Sequence, residues 1–160
     1  MEKRLIRRKG DFFCAEVNSA YKIYLQYIAV DKSQLGSMVV RVFKKHYPMD
    51  ESVDFDEVAM GEVWFYAHVY GLGKMCCYKC GKSKILGDTE NIMFRTPYEV
   101  DFSKIDISYR WFVWKINQER MYVGKLNDTY RKYDMGGVFP ITWVYEKILT
   151  GKFPCKEVKG

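Results

Sequence analysis

Between Gly10 and Tyr47 apolar and polar residues largely alternate, and the alternation is interrupted only by short polar clusters. This pattern constrains the fold most, because extended backbone is what places every second side chain on one face. Three strands are predicted, over Phe12 to Val17, Tyr21 to Val30 and Met38 to Tyr47. Asn18-Ser19 and Asp31-Lys32-Ser33, followed by Gly36-Ser37, punctuate them as turns. In the second strand Ile23, Leu25, Tyr27 and Ala29 share one face, opposite Lys22, Tyr24 and Gln26. In the third, Met38, Val40 and Val42 oppose Arg41, Phe43 and Lys45. One face of this antiparallel meander is therefore expected in a core, and the other toward water or a partner.

Downstream, Asp54 and Glu57 have the spacing of a capping box, which predicts a short helix near residues 54–60 stopped by Gly61. Val63 to Val69 and Lys74 to Lys79 read as strands, with Gly71-Leu72-Gly73 suited to a hairpin between them. Lys82 to Glu90 reads as loop and Asn91 to Thr96 as a short strand. Tyr109 to Ile116 is apolar on both faces, the mark of a central strand covered on both sides. Asn117-Gln118-Glu119 turns it back into Arg120 to Leu126, and Tyr130 to Gly137 is irregular. Ile141, Val144, Tyr145, Ile148 and Leu149 repeat at helical spacing, with Pro140 at the start and Gly151 and Pro154 at the end. With no internal repeat or linker, the expectation is one domain over residues 1–160. Its class is α+β, mainly antiparallel, with a rolled or barrel-like sheet closed over by the C-terminal helix.

Size and charge narrow the functional classes only partly. A chain of 160 residues can bury roughly 70% of its unfolded surface without disulfides or metals. A hydrophobic share of 48% argues against disorder. The net charge of +6 suits acidic proteins, nucleic acid or anionic lipid equally, and it is diluted by 20 interspersed acidic residues. Five irregularly spaced cysteines in a chain of this size point to reduced thiols and a cytoplasmic setting. Leu5-Ile6 is too short to be the apolar part of a leader, and no run approaches the roughly 18 apolar residues of a membrane span.

No catalytic apparatus emerges from the motifs, and the chain is expected not to be an enzyme and to carry no cofactor. Cys77-Tyr78-Lys79-Cys80, beside Cys76, is a Cys-x-x-Cys pair, yet Cys14, Cys155, His46 and His68 supply no second paired knuckle for zinc. On an extended strand its two thiols point to opposite faces. Metal binding by Cys76, Cys77 and Cys80, redox chemistry and plain buried thiols all stay open. Cys80-Gly81-Lys82-Ser83 ends like a phosphate-binding loop, and Gly71-Leu72-Gly73 begins like a dinucleotide fingerprint. Both place Cys76 where a glycine is required. His68, inside an apolar strand, reads as a satisfied core histidine. The acidic run Asp50, Glu51, Asp54, Asp56 and Glu57 reads as helix capping and solvation. What remains is the polar-aromatic face of Lys22, Tyr24, Gln26, Arg41, Phe43 and Lys45. It could anchor a protein partner, hold single-stranded nucleic acid, or simply be the solvated side of a sheet.

Arg8-Lys9-Gly10-Asp11-Phe12-Phe13-Cys14-Ala15-Glu16-Val17, leading into Tyr21-Lys22-Ile23-Tyr24-Leu25-Gln26-Tyr27-Ile28, resembles the start of the bacterial polymorphic-toxin immunity proteins classed as immunity protein 26. In that family a Lys-x-Gly-Asp-x-Phe stretch starts a strand, and an aromatic-rich strand follows across a short turn. The resemblance covers Lys9 to Val42, about a fifth of the chain. It departs at Asn18-Ser19-Ala20, where the family loop usually has Gly or Asp. It implies a small cytoplasmic protein that binds and neutralises a cognate toxin without doing chemistry. The net positive charge departs from the acidic character of many nuclease inhibitors and points to an acidic toxin, to use of the Asp50–Glu57 cluster, or to a likeness to the family in fold only. No residue role transfers. The alternative is a nucleic-acid-binding domain working through the basic-aromatic face; neither reading involves a membrane.

Overall fold

In the computed structural model, which describes residues 4–160, β1 (Asp11–Val17) and β2 (Tyr21–Asp31) pair antiparallel, Phe13 opposite Leu25 and Ala15 opposite Ile23. Asn18 and Ser19 both take positive φ, the sign pattern of a type I′ turn, and the Ala20 N–H closes it on the Val17 carbonyl at 2.9 Å. The third predicted strand divides into β3 (Ser37–Phe43), beside β2, and the short β4 (Tyr47–Pro48), which pairs with the start of β2. Next come α1 (Phe55–Ala59), β5 (Val63–Tyr70) and β6 (Cys77–Lys82). The Asp54 side chain caps α1 by accepting from the Asp56 N–H, as the acidic cluster predicted.

One expectation fails at β6. β5 and β6 are not a hairpin, and the strand begins at Cys77 rather than Lys74. The sheet runs β5-β3-β2-β1-β6, so β6 pairs with β1 at the far edge. In a flat sheet four strand spacings, about 19 Å, would separate them. Residues 71–76 include a turn closed by the Lys74 N–H on Gly71 O and cannot be fully stretched. The sheet therefore curls, and Leu72 in the crossover is fully buried in the enclosed core.

The remaining strands are β7 (Met93–Pro97), β8 (Trp111–Lys115), β9 (Met121–Gly124), β10 (Asp134–Met135) and β11 (Val138–Pro140), ahead of α2 (Ile141–Thr150). β11 joins the first sheet parallel to β5, and the others form a second sheet ordered β10-β7-β8-β9. The fold is α+β, with two mainly antiparallel sheets and a C-terminal helix. The larger sheet is rolled without closing, since β6 and β11 remain its edges. Pro140 sits one residue before α2 rather than at its first position, because it also ends β11; Gly151, at positive φ, caps the other end. Ile141, Val144 and Ile148 of α2 fill the concave side against Phe13, Leu25, Val42 and Ala67.

The convex side is covered too. α1 and Ile85 pack over Phe12, Tyr24 and Phe43 at one end, and Phe94 and Trp114 of the second sheet pack over Ile28, Ala29 and Val39 at the other. The Trp114 ring is fixed in that contact by Gly136, where an added Cβ would lie 2.0 Å from it. Gly136→Ala is accordingly expected to destabilise by about 2–3 kcal/mol through overpacking, read as a lower urea midpoint; an unchanged midpoint would show that the Trp114 ring can move aside freely.

Candidate functional site

The six residues singled out in the sequence do not form an open face. Tyr24, Gln26, Arg41 and Phe43 are buried, and only Lys22 and Lys45 reach the surface. The Arg41 guanidinium donates from Nε to Gln26 Oε1 at 2.9 Å, and from Nη2 to the carbonyls of Ala59 (3.0 Å) and Ile85 (3.1 Å), while lying over the Phe43 ring. Gln26 donates from Nε2 to Ile85 O at 3.1 Å. Together they bond α1 and the loop after β6 to the sheet. Lys22 Nζ is spent on the Glu51 carbonyl at 3.0 Å. Alternation correctly separated the two faces; what it could not show is that a helix and a loop from later in the chain cover the polar one.

His68 is likewise interior. Its Nε2 lies 2.9 Å from Asp31 Oδ2, and neither side chain has any exposed surface. Asp31 also accepts from Trp114 Nε1 (3.2 Å), Asn117 N (3.0 Å) and both the N–H and Oγ of Ser33. Burial lowers the affinity of His68 for a proton despite Asp31 beside it. Burial also pushes the Asp31 carboxyl up, but the hydrogen bonds from Ser33, His68, Asn117 and Trp114 outweigh it and hold the group below its ordinary range. An ionised carboxylate accepting from a neutral imidazole satisfies both directions. The pair resembles a catalytic dyad in chemistry, yet it is sealed between β2, β5 and β8, where no substrate reaches it. His46, the other imidazole, stacks on Tyr21 with centroids 4.0 Å apart.

All five cysteines are free. Cys77 points into the core and Cys80 outward, opposite as the odd step requires. The Cys76 and Cys77 sulfurs are 3.9 Å apart, and the Cys77 hydrogen bond lowers the Cys76 thiol to about 7. Among the described residues no three His, Cys, Asp or Glu side chains are grouped to hold a metal ion. Nor is any helix among them long and apolar enough to cross a membrane.

Two surface features were not foreseen. The first is a row of rings on the second sheet. β8 turns Phe112 and Trp114 to the face that meets the first sheet, but only Trp114 lies under the contact. Beyond it Tyr98, Phe112 and Tyr122 stand side by side, with centroids 5.5 Å apart at each step. Tyr98 is 50% and Tyr122 57% exposed. Arg110 lies over Tyr98 at 4.3 Å, and Lys125 over the exposed Tyr109 at 5.4 Å. The dense aromatic run was visible in the sequence; that its outer end overhangs the sheet below was not.

The second is a cavity of about 580 Å³ between the β10 edge, the end of α2 and the C-terminal segment. Its lining carries seven Lys or Arg side chains against two carboxylates, Asp134 and Glu157. The half-buried Arg95 is anchored by Nε on the Tyr133 carbonyl (2.8 Å), its guanidinium over Trp111. Lys147 lies over the rings of Phe65 (4.4 Å) and Phe153 (4.6 Å). Burial lowers the proton affinity of both cations and raises that of Asp134, whose Oδ2 accepts from Tyr66 N. β7, the segment leading into β10, α2 and the C-terminal segment all supply these groups, so no local spacing announces them.

Comparison with protein-family models, with curated proteins and with solved structures finds no match to this chain.

Proposed function

We propose that this chain is a non-enzymatic binding protein of the immunity type, which occludes an acidic protein toxin through the Tyr98–Phe112–Tyr122 row. The observation that carries this reading is the row itself: three large rings in contact, part-exposed on a paired sheet, with Arg110 stacked at one end. Tyrosine and arginine held in fixed positions give large contact area at little entropic cost, the chemistry of interface anchors. The positive net charge favours an acidic partner and speeds encounter with it. The resemblance over Lys9 to Val42 supplies the toxin class. The face of Lys22, Tyr24, Gln26, Arg41, Phe43 and Lys45, first expected to serve either a protein partner or nucleic acid, has four of its six residues buried, so the reading rests on the ring row instead.

The test is capture of the toxin from the native host, followed by binding and neutralisation assays with the purified pair. Tyr98→Ala together with Tyr122→Ala is expected to weaken binding about 30-fold or more and abolish protection, with the melting temperature unchanged. Replacing Lys22 and Lys45 by Gln, away from the row, is expected to change the affinity by no more than about threefold. A captured partner that stays active in the complex would sink the reading, as would wild-type affinity in the double variant.

A further inference from the structure

We propose that the cavity between β10, the end of α2 and the C-terminal segment is a binding site for a phosphate-bearing small molecule of nucleotide size. This goes beyond toxin binding and is independent of it. Arg95 shares its face of the second sheet with Trp111 and Val113, whereas Phe112 and Tyr122 point from the opposite face.

Charge is the first argument. Arg131 and Lys156 are paired with Asp128 and Asp106. Among the described residues no carboxylate lies within ion-pair distance of Arg95, Lys132 or Lys147. For Arg95 and Lys147 the omission matters, because both are partly withdrawn from water. Asp134 and Glu157 act on both cations only from beyond ion-pair distance, and burial still outweighs them; an anion bound between the two groups relieves that cost at both together.

Geometry is the second. Aromatic rings and a backbone carbonyl, rather than carboxylates, hold the two cations in place. With Nε committed to Tyr133, the terminal nitrogens of Arg95 form no other protein hydrogen bond among the described residues, leaving the edge that grips two oxygens of one anion. Burial raises the proton affinity of Asp134 against the pull of Lys147 and Arg95, and its Oδ2 is already held by the Tyr66 N–H, so seven cationic side chains face only two carboxyl groups in the lining. The volume lies in the range of small-ligand sites, and Tyr133, Phe139 and Phe153 add ring surface for the uncharged part of a ligand.

The test is calorimetric titration of the full chain with inorganic pyrophosphate and with ATP, citrate serving as a carboxylate polyanion of similar charge. Pyrophosphate or ATP is expected to bind and to raise the melting temperature, with citrate at least tenfold weaker. Lys147→Met keeps the stem on Phe65 and Phe153 while removing the charge. It is expected to weaken phosphate binding at least tenfold while the unliganded protein melts no lower, a combination that a purely structural lysine would not give. Lys132→Met, at an exposed position, repeats the test without touching the core, and a several-fold loss is expected. The inference is overturned if neither phosphate probe binds at millimolar concentration in low salt. It is equally overturned if citrate matches them, or if both variants bind like wild type.

Discussion

Asp31→Ala is expected to lower folding stability by about 3–5 kcal/mol, the range for removing one partner of a buried polar network. Five donors converge on this one carboxylate: the Ser33 N–H and hydroxyl, the Asn117 N–H, the Trp114 indole and the His68 imidazole. They come from the turn after β2, from β5, and from β8 and its turn, so the carboxylate ties the two sheets together. His68 Nδ1 already lacks a hydrogen-bond partner among the described residues, which leaves no slack for a second loss.

The same network fixes how stability follows pH. His68 has a folded proton affinity below its ordinary 6.5, and Asp31 one below its ordinary 3.8. In both cases the unfolded chain takes up its proton first as pH falls, so acid favours unfolding. Stability is expected to be fully present above about pH 6.5, to decline below it as His68 titrates in the unfolded chain, and to decline again below 3.8 through Asp31. Urea midpoints at pH 7.5, 5.5 and 3.5 read this out. Asp31→Asn should flatten the lower limb, and His68→Gln the upper one. Stability that stays level between pH 7.5 and 5.5 would mean that His68 is not held neutral.

Arg41 carries the second large effect. Were it a basic residue on an open face, its replacement would change stability by no more than about 0.5 kcal/mol. In the fold its removal leaves Gln26 Oε1 and the Ala59 carbonyl without their side-chain donor, and the Ile85 carbonyl with Gln26 Nε2 alone, so Arg41→Ala is expected to cost about 3–5 kcal/mol. Arg41→Lys, which supplies a charge but not a fork, is expected to recover less than half of that. Chemical denaturation of the two variants measures both. A loss below about 0.5 kcal/mol in Arg41→Ala would return the residue to the surface.

Arg41 also shows where reading the sequence stops. Alternation placed Arg41, Phe43, Tyr24 and Gln26 on the face opposite Val40, Val42 and Ile23, and the β2–β3 register agrees. Polarity alone points such a face toward water or a partner. The face is instead lined by Gln26, the Ala59 and Ile85 carbonyls and the Phe43 ring, which hold the guanidinium in place although burial disfavours its charge. The buried Phe12 and Cys14, alternating with the equally buried Phe13 and Ala15, were the local sign that β1 is covered on both sides. The β5–β6 connection failed differently. Gly71-Leu72-Gly73 does contain a turn, but a turn fixes only the direction of the chain, not which strand it meets next.

The chain by itself settled most of the strands and both helices, though not the bounds of β6 nor the short β10 and β11, and also which side chains share a face and that Cys77 and Cys80 point apart, because these follow from backbone periodicity and from residues a few positions away. The tertiary structure alone decided that the polar face of the meander is interior, that Asp31 and His68 meet, that the end of β8 overhangs as an aromatic row, and that cations from β7, the β9–β10 connection, α2 and the C-terminal segment gather round one cavity. Each of these depends on which distant segment packs over which face. That choice is made by summed burial across the whole chain, and no local pattern of residues records it.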